Sequence, residues 1–327
     1  MDALLVVDKP AGPTSHEVVA RVRRALGERR VGHTGTLDPM ATGVLPLLLG
    51  RATRLARFLS RSGKSYDAVI RLGVATETYD AEGVPTGVRH DGPFPARDAI
   101  DRALDRFRGT FLQQPPAFSA KKIGGRRSYD LARAASKRLA STGAGAPAPG
   151  GLAASAGPPV LPAQVPVTAA IEVAHVEGEA VTLRIACSAG FYVRALAHDL
   201  GRHLGIGAHL AALRRTASGD FRLSDAIALD RIEREPDDVR SWVIAPVRVL
   251  PAFPVVTLTE AGVHHAAQGR DLGLQDVVTG AAPGAGASGL TATGDEWFRL
   301  VDSRGRLVAV ARRATAPALW HPAVVLV

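Results

Sequence analysis

The chain has 327 residues, 46 % of them hydrophobic, so it can bury a substantial core, and its length points to two domains or one large domain with an appendage. The net charge is +9, and nearly all the positive charge is arginine, which favours acidic partners with nucleic acid first among them. A single cysteine, Cys187, excludes an internal disulfide and a cysteine-built zinc site, and no apolar run approaches the roughly 20 residues that a membrane span needs. The N-terminus has no signal-peptide pattern, so the expected location is the cytosol. Codon bias towards Ala, Gly, Pro and Arg would also raise the charge, so its distribution says more than its total. Residues 121–138 carry seven Lys and Arg against one acidic residue, which is how a nucleic-acid footprint clusters.

In chain order, Leu4-Leu-Val-Val7 reads as a strand running into Asp8-Lys9-Pro10-Ala11-Gly12. Thr14 and Glu17 have capping-box spacing, and the helix that they start shows Val18, Val22 and Leu26 on one face before Gly27 ends it. The stretch Val31-Gly-His-Thr-Gly-Thr-Leu-Asp-Pro-Met-Ala-Thr-Gly43 has too many glycines, threonines and a proline for regular helix and reads as a shaped loop. It carries one imidazole, His33, and one carboxylate, Asp38, and the apolar run Val44–Leu49 anchors it as a buried strand or helical turn. Two readings stay open from spacing alone: a presented reactive carboxylate, or an Asp-Pro turn beside a capping histidine.

Lys64-Ser-Tyr-Asp-Ala-Val-Ile-Arg-Leu72 alternates as a half-buried strand, with Tyr66 on the apolar face either as a core residue or as a functional one. Residues 76–95 read as a polar, turn-rich connection. A helix with Ile100, Ala103, Leu104 and Phe107 on one side follows it, and then an extended Pro-Pro segment. Lys121, Lys122, Arg126 and Arg127, with Tyr129 beside them, form a basic cluster that is either a solvated run or a phosphate contact. From Leu139 to Ile171 no residue is charged, and the Ala/Gly/Pro-rich part at about 139–166 reads as a flexible insert. A strand pair covers Val165–Val176 and Ala180–Cys187. Gly190-Phe-Tyr-Val-Arg194 then opens a helix ended by Gly205. Arg194 in its first turn opposes the helix dipole, which asks for a carboxylate partner elsewhere. Ala208–Leu213 is a second apolar stretch ending in Arg214-Arg215. The acidic, proline-punctuated segment Asp225–Pro246 marks the approach to a boundary. Beyond it come Val255-Val-Thr-Leu258, a helix near Glu260–Gln268 and a hairpin turning at Asp302-Ser-Arg-Gly305. The Gly/Ala-rich span 280–289 lies inside this module.

Gly32-His-Thr-Gly-Thr-Leu-Asp-Pro39 with Ala41-Thr-Gly43 resembles the signature of the TruB family of pseudouridine synthases, the bacterial tRNA pseudouridine-55 enzymes. Further matching segments stand in the family's order. They are Asp8-Lys9-Pro10 with Gly12, Lys64-Ser-Tyr66, Pro115-Pro-Ala-Phe-Ser119, Ser188-Ala-Gly-Phe-Tyr-Val-Arg194 and Leu213-Arg214-Arg215. The resemblance is strong over residues 1 to about 222 apart from the insert, and weaker beyond. It implies an α+β pseudouridine synthase fold, a mixed and largely antiparallel central sheet flanked by helices, with a C-terminal β-rich PUA-like module. The expected division is 1–245 catalytic and 246–327 PUA-like and RNA-binding. The implied chemistry is isomerisation of the T-loop uridine of tRNA by base flipping, without cofactor or metal.

By matched position, the resemblance makes Asp38 the catalytic aspartate and Arg194 its ion partner, with Tyr66 stacking on the target uracil. Tyr192 and Leu213 complete the base pocket, and His33 fills the gap left by the extruded uridine. Lys9 is a supporting residue and Lys64 a substrate-side cation. Ala189 and Phe191 depart from the polar residues usual around the Tyr-x-Arg motif. The expected partner is the tRNA T-stem-loop, with no membrane and no obligate protein partner, and the expected state is a monomer. Two other classes remain open from sequence: a non-catalytic RNA-binding or RNA-folding protein on the same scaffold, and a metal-dependent phosphohydrolase using His33 and Asp38.

Overall fold

Leu4-Leu-Val-Val7 is apolar on both faces, and it forms the wholly buried part of strand β1 (Ala3–Lys9). The structure, a computed structural model, describes residues 1–118, 122–123, 126–127, 162–278, 296–314 and 320–327. Lys121, Tyr129, the insert as far as residue 161 and the 280–289 span lie outside the described residues.

After β1 come helix α1 (Ser15–Leu26), β2 (Val31–His33), β3 (Thr42–Leu49) and β4 (Lys64–Leu72). Next are α2 (Arg97–Leu104), β5 (Gly109–Gln113), β6 (Val165–Glu177), β7 (Ala180–Cys187), α3 (Val193–Leu204) and β8 (Ala208–Ser218). The chain ends with β9 (Ala226–Ala228), α4 (Leu229–Arg234), β10 (Val255–Thr257), α5 (Glu260–Ala267), β11 (Trp297–Val301), β12 (Leu307–Arg313) and β13 (Trp320–Val325). By internal contact it divides into two units, Met1–Arg61 with Asp220–Val327, and Ser62–Gly219.

In the first unit β1 pairs antiparallel with β3, from Ala3 opposite Leu49 to Lys9 opposite Gly43, and parallel with β9. Strand β2 lies along the far side of β3. The predicted capping box is present: Thr14 Oγ1 accepts from Glu17 N, and the Glu17 carboxylate accepts from Thr14 N. Gly27 closes α1 in the left-handed region, where glycine carries no Cβ penalty. The acidic segment after Asp225 is built into this unit through β9 and α4, and an Arg21–Glu233 ion pair links α4 to α1. The C-terminal strands form a separate small sheet, β10-β11-β12-β13. Its hairpin turns at the expected residues, Gly305 N donating to Asp302 O at 2.9 Å. One side of this sheet closes over Val256, Phe298, Leu300, Val308 and Trp320. Trp297, Val301, Val310 and Val324 join Leu4, Val44, Leu48 and Leu55 in one apolar core.

The second unit is a five-stranded antiparallel sheet in the order β8-β4-β7-β6-β5. The alternation read in β4 is real: Lys64, Tyr66, Ala68, Ile70 and Leu72 are buried, while Asp67 and Arg71 are exposed. The apolar run after α3 is extended as β8, and the basic residues Lys122 and Arg127 face each other across a short two-stranded ladder. Residues 76–95 are more ordered than their polarity suggests. Ala75–Thr76 pairs with Pro85–Thr86, and Thr76 and Asp80 are buried. With β1–β9 and β10–β11 pairing parallel among mostly antiparallel strand pairs, the fold is the mixed α+β architecture expected. Among the described residues no helix is long and apolar enough to cross a membrane.

Helix α3 meets β8 through a glycine. A Cβ on Gly201 would lie 2.1 Å from Ala208 N and 2.4 Å from Gly207 C. Alanine would add about 1 kcal/mol of helix propensity, but a backbone clash of that depth costs roughly 1–3 kcal/mol or more. Gly201→Ala is therefore expected to lower the melting temperature by several degrees, a net loss of about 1–2 kcal/mol on the same scale. An unchanged or higher melting temperature would show that the helix and strand are not in this contact.

Candidate active site

Asp38 stands on the loop between β2 and β3, and that loop is held by its backbone on both sides of the carboxylate. Before it, Leu37 N donates to Ser15 Oγ at 2.8 Å, and Ser15 Oγ donates to Leu37 O at 3.0 Å. After it, Gly12 N donates to Pro39 O at 3.0 Å, and Ala41 N donates back to Asp38 O at 3.1 Å. Lys9 completes the clamp. Its side chain is fully buried, and Nζ donates to Pro10 O and Pro39 O at 3.0 Å each and to Ala41 O at 2.6 Å. An ammonium taken from water is costly unless hydrogen-bonded, and three carbonyl oxygens around one nitrogen satisfy its three donors. A small proline- and glycine-containing loop thereby becomes rigid. His33, at the end of β2, packs edge-on to His16 with ring centroids 5.2 Å apart.

The second unit gathers the other five predicted residues. Strand pairing puts Arg215 opposite Tyr66 and Leu213 opposite Ala68, with Ile185 opposite Tyr66 on the other side. Directly opposed side chains share a face, so Tyr66, Leu213 and Arg215 lie on one side of the sheet. Among the described residues Arg215 is the largest fully buried side chain, and it hydrogen-bonds the Tyr66 side chain. Burial pulls its guanidinium below the ordinary arginine value, and the charge and hydrogen bond of Tyr66 oppose that shift. Tyr66 is thus both a buried strand residue and a ring fixed from its polar end, so the two sequence readings of it are compatible.

Arg194, in the first turn of α3, is buried, and its position against the helix dipole is answered by acceptors from outside the helix. Nη1 donates to Thr78 O at 3.0 Å, Nη2 donates to Phe118 O at 2.9 Å, and Nε lies 3.6 Å from Asp80 Oδ2. The carboxylate beside it within its own unit is Asp80. Tyr192, just before the helix, is held at its backbone by the buried amide of Gln113. Tyr192 N donates to Oε1 at 2.8 Å, and Nε2 donates to Tyr192 O at 3.0 Å. Lys64 is buried at the start of β4 and donates to Ser62 O. Burial, with the nearby Arg215 charge adding to it, lowers the Lys64 pKa to about 8.

The structure therefore brings Lys9, His33 and Asp38 into the first unit and Lys64, Tyr66, Tyr192, Arg194 and Leu213 into the second. Sequence reasoning missed Asp80, Gln113, Ser15 and Arg215. Asp80 was hidden in a turn-rich connection, whereas Arg215 stood beside Leu213 in the quoted motif, and its place on the buried face of β8 was the signal available. Among the described residues no group of three or more His, Cys, Asp or Glu could hold a metal ion.

The fold has solved counterparts. One is a chain of an H/ACA ribonucleoprotein bound to a substrate RNA containing 2'-deoxyuridine, at a TM-score of 0.66 and 24 % identity, the match covering 99 % of this chain and 85 % of that one. Another belongs to a Cbf5-Nop10-Gar1 complex, also at 0.66, with 26 % identity and the same coverage. The architecture is accordingly the pseudouridine synthase fold. Residues 23–141 match the family model of the TruB pseudouridylate synthase N-terminal domain, and residues 194–246 match that of the tRNA pseudouridylate synthase B C-terminal domain. The tRNA pseudouridine synthase B of Solibacter usitatus is 40 % identical over 328 residues, covering the whole of both chains. That of Mycobacterium tuberculosis is 40 % identical over 331 residues, covering 98 % of this chain and 97 % of its own. The chain belongs to the TruB family of pseudouridine synthases.

The buried cation at the foot of β4 has a pH signature. An ammonium whose pKa falls on folding opposes the native state while protonated, and the opposition lifts as pH rises from the folded pKa, about 8, to the ordinary value of 10.5. The Cys187 thiol, pushed up to about 12 by burial, acts with the opposite sign above about pH 9. The difference between wild type and Lys64→Met isolates the lysine. Denaturant titrations at pH 7.5, 9 and 10.5 should find wild type gaining stability on the variant across that range. A difference independent of pH would mean that Lys64 keeps an ordinary pKa.

Proposed function

We propose that this protein isomerises the T-loop uridine at position 55 of tRNA to pseudouridine. The observation that carries the reading is a carboxylate, Asp38, on a loop immobilised from both sides, in a chain that matches tRNA pseudouridine synthase B relatives over its full length. The reaction breaks the bond from ribose C1' to uracil N1, turns the base, and forms a bond from C1' to C5. The C5 proton is released and N1 gains one, so nothing is oxidised or reduced and no cofactor is required. A base cannot turn inside a stack, so the uridine must be flipped out at a cost of a few kcal/mol.

In this reading Asp38 is the catalytic group and acts as its carboxylate, since each route through a nucleophile or a base needs the anion. Arg194 pairs with it and opposes the rise in pKa that burial would impose on an isolated aspartate. Tyr66 stacks on the uracil, a contact worth roughly 1–3 kcal/mol per base. Arg215, by holding the phenol, fixes that ring in one orientation. Tyr192 and Leu213 close the pocket, and His33 occupies the gap in the RNA stack. Lys9 holds the Asp38 loop, and Lys64 supplies a cation on the substrate side. Residues 1–245 form the catalytic part, and 246–327 form a PUA-like module that adds RNA contact. Arginines on phosphates and the shape of the folded loop give most of the recognition. The protein acts as a cytosolic monomer.

Release of tritium from T-arm RNA carrying 5-tritiated uridine measures the reaction. Asp38→Asn is expected to fall below about a thousandth of the wild-type rate, the scale seen when a covalent or general-base group is removed, while binding RNA normally; near-normal release would exclude Asp38. Tyr66→Leu should lose turnover far more than RNA affinity, and equal loss of both would make Tyr66 a core residue only. Wild-type activity undiminished in EDTA would dispose of the metal-dependent alternative.

A further inference from the structure

The turn that serves Arg194 is strained. Tyr79 has φ 67°, and among the described residues it is the non-glycine residue at positive φ. A side chain in the left-handed region costs free energy and persists only where its surroundings over-determine it. Its neighbours are the two groups from this turn that meet Arg194: the Thr78 carbonyl, 3.0 Å from Nη1, and the Asp80 carboxylate, 3.6 Å from Nε. The Tyr79 ring stacks on His198, with centroids 3.8 Å apart and planes within 15°. His198 lies four residues after Arg194 on α3, which puts both side chains on one face of the helix.

The turn is also tied to β8. Leu210 N donates to Tyr79 O at 2.9 Å, and Ala81 N donates to Leu210 O at 3.0 Å. Within it, Thr76 Oγ1 donates to Asp80 O at 2.7 Å, and Thr78 Oγ1 donates to Asp80 Oδ1 at 2.5 Å. Tyr79 and His198 both border a cavity of about 640 Å³. A ring beside so much open space is fixed by its stacking partner more than by close packing. Burial lowers the His198 pKa, opposed by Asp199 and reinforced by Arg202, which favours the neutral imidazole in the stack.

We propose that Tyr79 and His198 form an aromatic latch that sets Thr78 and Asp80 against Arg194, and that both are positioning residues for the isomerisation. Neither touches a reacting atom. The role rests on the reaction proposed above, so its test includes a readout that needs no turnover. Glycine adopts φ 67° freely, so Tyr79→Gly removes the strain and the stack together, whereas Tyr79→Phe keeps the ring. In full-length Tyr79→Gly the amides of Ala81 and Leu210 should exchange hydrogen at least about tenfold faster than in wild type, reporting local opening. Its kcat on T-arm RNA should fall about 10- to 100-fold, the scale of a displaced supporting group, with KM changed by less than about threefold, as loss of a transition-state arrangement requires. Tyr79→Phe should match wild type in both.

Wild-type exchange and kcat in Tyr79→Gly would overturn the latch. So would a loss confined to KM, or a Phe variant as impaired as the Gly variant. A wild-type protein that forms no pseudouridine would overturn the reaction and with it the catalytic role, while the exchange rates would still decide whether the latch exists.

Discussion

The buried ammonium of Lys9 is the interaction on which the Asp38 loop depends. It replaces water with the carbonyls of Pro10, Pro39 and Ala41, and the last two lie just after the aspartate. Removing such a group would leave the buried Ala41 carbonyl without this donor, at a cost of roughly 1–3 kcal/mol, while Pro39 O would keep its bond from Gly12 N. The loop sequence supplies little rigidity of its own, because its glycines and threonines permit many conformations. Ser15 and Gly12 hold the remaining backbone, so the approach to α1 and the end of β1 together form a frame for one carboxylate.

The second unit follows the same logic with different chemistry. Tyr66 on a strand, and Tyr192 and Arg194 at a helix start, are each held by a polar group of another element. Arg215 on β8 holds Tyr66 on β4, Gln113 at the end of β5 holds the Tyr192 backbone, and the 76–83 turn meets Arg194. Gly83 belongs to that turn because a Cβ there would lie 2.2 Å from Thr78 Oγ1. Buried polar partners of this kind are costly when half-satisfied and rigid when complete. The site proposed for the isomerisation would benefit from that rigidity.

The C-terminal strands illustrate how little sequence distance means for packing. Trp297, Val310 and Val324 share a core with Leu4 and Leu48. Arg57 lies over the Trp297 ring at 5.1 Å, and Phe58 meets the same ring edge-on at 4.9 Å. Arg57, exposed after the central loop, thus places its cation on an aromatic face.

Local patterns alone determined a good deal. The Thr14–Glu17 capping box, the alternation of β4, the strand pair β6–β7 and the turn at Asp302–Gly305 depend on a few neighbouring residues, and each formed as read. Motif order identified the family, and it is the ground on which Asp38, Tyr66 and Arg194 are proposed as site residues. What the sequence could not give was partnership across distance. Residues 76–95 looked like a polar connection because a carboxylate and two threonines mark a loop in one dimension; only folding brings Asp80 to Arg194 more than a hundred residues away. Nor does any local feature say that Lys9 is fully buried, since lysine prefers water unless carbonyls converge on it. Two of those carbonyls, Pro39 and Ala41, belong to residues about thirty positions further along the chain, and the pairing of β1 with β3 is what carries them there.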